Sequence, residues 1–78
     1  EIKVSPDHRK YIETLPLHHS QTLVDDKVDY VIFQYLLHPT HDFIQELFTH
    51  GENIEVIKPK SLREEMAEKV KQMMELYK

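Results

Sequence analysis

The sequence predicts an α+β fold, a two-layer α/β sandwich with helices over an antiparallel sheet, and three observations carry that prediction. Short alternating apolar runs recur between capped helical segments, so strands and helices interleave along the chain. The only glycine, Gly51, stands where an amphipathic helix should stop, just before the alternating run Ile54-Glu55-Val56. Pro59 and Ser61 then pass the chain from that strand into a charged helix with no spare residues.

The elements follow in order. Ile2-Lys3-Val4 alternates as a strand, and Ser5-Pro6-Asp7 opens a helix with Ser5 as N-cap and Pro6 at the first helical position. Tyr11, Ile12 and Leu15 give that helix one apolar face, and Pro16 closes it. A second strand is expected from Gln21 to Val24, with Asp25-Asp26-Lys27 as the hairpin turn. The third runs from Val28 to about Leu37, where Pro39 stops it.

Thr40 caps the next helix, whose apolar positions Phe43, Ile44, Leu47 and Phe48 follow helical spacing up to Gly51. Ile54 and Val56 mark strand four. Ser61 and Glu64 fit a capping box for the last helix, with an apolar stripe of Leu62, Met66, Val70, Met73 and Tyr77 and a Glu65–Lys69 supporting pair. The order is β-α-β-β-α-β-α. Two right-handed crossovers split the sheet and place both crossover helices on one face. The expected result is a ferredoxin-like βαββαβ sandwich plus an additional C-terminal helix, with strands one and three central.

Seventy-eight residues make one small domain, residues 1–78, burying roughly 60% of the unfolded surface. The chain opens at Glu1 rather than Met, which leads to the expectation that it is the C-terminal piece of a longer protein. There is no Cys, which fits an intracellular, cytoplasmic location, and no apolar run approaches the roughly 20 residues of a membrane span. The net charge of −4 argues against phosphate-driven nucleic-acid binding, although six histidines would offset it in mild acid.

Two features could carry function. The third strand is apolar on both sides, with Val31, Phe33, Tyr35 and Leu37 on one and Tyr30, Ile32 and Leu36 on the other. Either the last helix covers that second side, or Tyr30, Ile32 and Leu36 form a partner or ligand surface with Gln34 as its polar handle. The final helix poses the same question, because its stripe should not stay in water. Met66, Val70 and Met73 are therefore the candidate interface, for packing within the domain or against a second copy.

Chemistry is sparse. Adjacent His18 and His19 should point to opposite sides of an extended segment, whereas His38 and His41 straddle a proline turn and are the pair placed to converge. His50, before Gly51, sits where a helix C-terminus favours a cation. Ser5 and Ser61 read as caps, Ser20 is only a sequence neighbour of His19, and Asp25-Asp26 sits in a turn. One glycine cannot build a phosphate loop. No catalytic residue, metal site or cofactor is assigned, and the chain reads as a non-enzyme. A nucleic-acid-binding ferredoxin-like module is the first rival reading, and a small metal-dependent enzyme the second.

The segments Leu15-Pro16-Leu17-His18-His19-Ser20-Gln21, Pro39-Thr40-His41-Asp42-Phe43, His50-Gly51-Glu52-Asn53-Ile54-Glu55-Val56-Ile57-Lys58-Pro59, Leu62-Arg63 and Tyr77 carry a family resemblance. Together they resemble the C-terminal extension (WCX) domain of WYL-domain transcriptional regulators, over essentially the whole chain. The resemblance implies a bacterial protein with an N-terminal winged helix-turn-helix that binds DNA and a β-rich WYL domain that senses a ligand or nucleic acid. This extension follows them, and in that family it is ferredoxin-like. The family's ligand-associated motif lies in the preceding domain, so no functional residue carries over.

The expectation is a regulatory domain acting in oligomerisation or effector sensing. Its partners would be the other domains of the same regulator, a second copy of itself and an unknown effector. DNA would be met by the N-terminal domain, and no membrane is involved. The candidate contacts are Tyr30, Ile32, Gln34 and Leu36, with His18 and His19 as polar outliers.

Overall fold

The computed structural model describes residues 1–78. Its strands are β1 (Ile2–Val4), β2 (Thr22–Asp26), β3 (Val31–Gln34) and β4 (Ile54–Val56), and its helices α1 (Arg9–Thr14), α2 (His41–Thr49) and α3 (Lys60–Glu75). The sheet is antiparallel throughout, in the order β2-β3-β1-β4. That is the split arrangement the element order requires, with β1 and β3 in the centre.

One side of the sheet supplies half of the core. Ile2 and Val4 of β1 lie opposite Phe33 and Val31 of β3, and Ile2 also faces Val56 of β4. All five are buried, together with Ile12 of α1, Ile44 and Leu47 of α2 and Leu62 of α3. Strand alternation puts Lys3, Ile32 and Glu55 on the other side. Because Leu62 joins the same cluster as Ile44 and Leu47, α3 packs in the helical layer beside α2, at the β4 edge. The far side of β3 is therefore not covered by the last helix, which removes one of the two expectations for that face.

Local signals held where one residue decided the geometry. Thr40 accepts the Phe43 N–H at 3.2 Å as the cap of α2. Gly51 ends that helix at φ +57°, a conformation that is cheap only without a Cβ.

Boundaries moved where long-range contacts compete. The β2–β3 turn is not Asp25-Asp26-Lys27. Asp26 stays in β2 opposite Val31, gripped by Arg9 Nη1 at 2.8 Å, and Lys27 N–H donates to Tyr30 O to close the turn. A register shift between Leu23 and Asp25 accommodates Val24 as an extra residue at this edge.

β3 covers only Val31–Gln34, because the Leu36 N–H goes to Ser20 Oγ at 2.9 Å instead of a neighbouring strand. Val28, expected to start that strand, is 93% exposed in the turn. α1 is preceded by a single 3-10 turn, Pro6–His8, and Ser5 caps by position but not by hydrogen bond. Its hydroxyl donates to Asn53 Oδ1 instead. Of the apolar face assigned to α1, only Ile12 is buried, while Tyr11 and Leu15 are exposed.

α3 begins two residues earlier than the capping box requires. Pro59 is the N-cap, so Ser61 lies inside the first turn and caps nothing. The Arg63 N–H is taken by Pro59 O at 3.1 Å. The Glu65–Lys69 pair is replaced by Lys60–Glu64 at 3.8 Å, in the first turn of the helix.

Candidate functional site

Three surfaces hold the candidate residues, and the fold separates them. The first is the open side of the sheet. A cross-strand row runs Glu55–Lys3–Ile32–Asp25, with Gln34 opposite Thr22 one step along. Lys3 lies across this face, with its ammonium 5.0 Å from the centre of the Tyr30 ring and 3.7 Å from Glu55. Tyr30, Ile32 and Gln34 thus share one half-buried face, whose apolar part is framed by a cation and two carboxylates. Leu36 does not belong to it. It lies beyond the end of β3 and is 76% exposed.

Arg63 closes the β4 border of that face. One of its amino groups donates at 2.7 Å both to Glu55 Oε2 and to the backbone carbonyl of Val56. The hydrogen bond from Arg63, aided by Lys3, holds the Glu55 carboxyl below its ordinary range. An edge carbonyl and an edge carboxylate are thereby tied to the first turn of α3.

The second surface is the loop before β2. His18 and His19 do not diverge: their ring centroids lie 4.1 Å apart. The segment is a turn rather than an extended run, with Gln21 N–H donating to His18 O. His18 Nδ1 accepts from the Ser20 hydroxyl at 2.7 Å and from the Ser20 N–H at 3.2 Å, so His18 carries its proton on Nε2. Since Ser20 Oγ also takes the Leu36 N–H, the loop is sewn to the end of β3. Beneath it the Tyr35 hydroxyl donates to Gln21 Oε1, and Gln21 Nε2 donates to Ile12 O. Burial pushes the Tyr35 phenol up. His18 and Leu36 meet here, while Tyr30 and Ile32 lie elsewhere, so the candidate contacts divide into two groups.

The third surface is the outer length of α3. Leu62 is buried and Met66 packs against the core. Val70 and Met73 are each 51% exposed, Leu76 80% and Tyr77 88%. A groove runs between α2 and α3 with Phe48 in its floor. Its inner part is about 240 Å³ and includes Ile54, Met66 and Val70; its outer part is about 420 Å³ and includes Met73 and Leu76.

His50 is where the sequence reading of a C-terminal cation fails. It is the one buried polar side chain, and burial, followed by the neighbouring His8, lowers its pKa. Desolvation of the ring outweighs the pull of the helix end. His8 was assigned no role from sequence, yet its Nε2 lies 2.8 Å from His50 Nδ1. No three His, Asp or Glu side chains converge in a way that could hold a metal ion. No helix is long and apolar enough to cross a membrane.

A family model described as the WCX domain matches residues 1–74. No curated protein and no solved structure matches the chain. With the match running over nearly the whole sequence and the sheet order that the resemblance implies, the chain belongs to the WCX domain family, whose members are regulatory C-terminal domains of WYL-type regulators.

Proposed function

We propose that this chain is a non-catalytic regulatory domain of a WYL-type helix-turn-helix transcriptional regulator in the cytoplasm, and that it acts by pairing two copies through α3. DNA is then contacted by another part of the same regulator. The observation that carries the reading is the row of apolar side chains on α3 and the turn after it that the domain leaves open, from Val70 to Tyr77.

A second copy suits that row better than an unrelated partner. Antiparallel α3 helices crossing between Val70 and Met73 would set these two residues against each other twice over, with Leu76 and Tyr77, in the turn past each helix end, flanking the contact. Such self-complementarity is what an isologous two-fold interface needs. Burying each of these side chains is worth up to about 1.5–3 kcal/mol.

The test is light scattering on the purified chain over a wide concentration range. Association is expected at high concentration, and Met73→Glu should abolish it with circular dichroism unchanged. A chain that stays strictly monomeric at millimolar concentration overturns the pairing.

Effector sensing is the second reading, and the open sheet face favours it. Tyr30, Ile32 and Gln34 lie together there, bordered by Lys3 and Glu55. Chemical-shift changes confined to these residues on adding an effector would support it. A nucleic-acid role for the face has Lys3, Lys27 and Arg63 to offer phosphate, each already engaged with Glu55 or Asp25.

A further inference from the structure

His8 and His50 meet across the fold in a way that the proposed function does not use. His8 closes the 3-10 turn and stands at the N-cap of α1, and His50 is the C-cap of α2. Their rings cross at 72° with centroids 5.0 Å apart, and Tyr11 stacks on His8 at 5.2 Å while presenting to His50 at 5.7 Å. The His50 side chain is only 4% exposed. The groups facing it are His8 and Tyr11 from the α1 segment and Glu46 from its own helix, 3.6 Å from His50 Nε2.

The proton arrangement follows from these neighbours. A 2.8 Å contact between two ring nitrogens needs one hydrogen between them. If His50 supplied it, the bare lone pair on its Nε2 would point toward the Glu46 carboxylate. If His8 supplies it, His50 carries its own hydrogen on Nε2, the nitrogen that otherwise lacks a partner and faces Glu46. The second arrangement is therefore the neutral state, with His8 Nε2–H donating to His50 Nδ1.

We propose that His8 and His50 form a proton-counting clasp, which holds the start of α1 on the end of α2 with no added proton or one, and releases it on the second. The first added proton, whichever ring carries it, still leaves a single hydrogen between the two facing nitrogens. It makes the bond charge-assisted and stronger. The second must put a hydrogen on both facing nitrogens, the accepting one included. Two N–H groups would then face each other between two cationic rings, and the contact must open.

What opens is bounded by its anchors. Ser5 is held to Asn53 by its N–H and hydroxyl, and Ile12 is fully buried with its carbonyl bound by Gln21. Between these anchors residues 6–11 are held by the His8–His50 contact and by Arg9, whose guanidinium reaches Asp26 of β2 at the exposed side. Lifting them uncovers His50 beside Gly51, which lines the inner part of the groove between α2 and α3. Acid thus loosens one end of the helical layer, leaving the Arg9–Asp26 pair as that segment's link to the sheet.

The sign is fixed by His50. Its folded pKa lies below the ordinary 6.5, so the stability that it contributes is complete above that value and is lost as the pH falls through it. Long-range proton–nitrogen NMR of the wild-type chain from about pH 8 to pH 5 tests the proposal. His50 is expected as the Nε2–H tautomer in the neutral pair, with the amides of residues 7–11 moving only with the second proton. Those amides moving with the first proton, or His50 carrying its hydrogen on Nδ1 in the neutral pair, overturns it.

His8→Gln supplies the independent arm, because the amide can turn its oxygen toward a protonated His50. His50 should then bind its proton about tenfold more tightly. No change, or weaker binding, removes the clasp.

Discussion

At Gly51 the conformation and its cost can be separated. The residue has φ +57°, yet an added Cβ would meet nothing within 4 Å. Gly51→Ala therefore meets no neighbour and carries only the left-handed strain of its own Cβ, about 1 kcal/mol in urea unfolding. A loss several times larger would mean that the open space is filled in solution.

Arg63 poses a different question, because it joins a charged partner to a backbone carbonyl. Arg63→Ala should cost about 1–2 kcal/mol, less than a buried charge-assisted pair because water reaches the site. Glu55 is depressed by the Arg63 contact, so its contribution is present above the usual carboxylate range and lost as pH falls through the folded value. In Arg63→Ala that acid dependence should flatten. An acid limb identical to wild type would show that the contact has no weight.

Helices were legible in the sequence to the extent that their signals were local. Thr40, the Phe43–Phe48 spacing and Gly51 act within one helix, and the structure keeps all of them. α1 was less legible, because its single core residue cannot be told from two exposed apolar neighbours by periodicity. β2 and β3 shifted because Arg9 reaches Asp26 over 17 residues and Ser20 reaches Leu36 over 16. The candidate site was legible only in part for the same reason. Tyr30, Ile32 and Gln34 do share a face, but the His8–His50 contact spans 42 residues and leaves no periodic trace.

The element most exposed to a single change is α1, six residues long and fixed to the core by Ile12 alone. Ile12→Ala empties a fully buried site and should cost about 2–5 kcal/mol. Against a total of about 4–12 kcal/mol for a domain of this size, that is enough to unfold much of the population. Tyr11→Ala, half-exposed, should cost far less. Similar unfolding midpoints for the two variants would mean that α1 does not depend on Ile12.

In the whole molecule α3 has two jobs, and its sequence divides them. Its inner end, Leu62 and Arg63, belongs to the fold; its outer end, Val70 to Tyr77, lies open and lends the domain little of its own stability. Leu62→Ala should therefore lower the melting temperature at every protein concentration, whereas Met73→Glu should leave it near wild type in dilute solution. Pairing that occurs only between folded copies stabilises them by mass action, so the wild-type melting temperature should climb as concentration rises. In Met73→Glu the climb should vanish, because a carboxylate placed opposite Val70 in the paired helices loses its hydration without a partner. Differential scanning calorimetry across a hundredfold range of concentration separates the two effects. If the wild-type transition does not move over that range, the open end of α3 is not held by a second copy, and the half-exposed row must serve another part of the regulator.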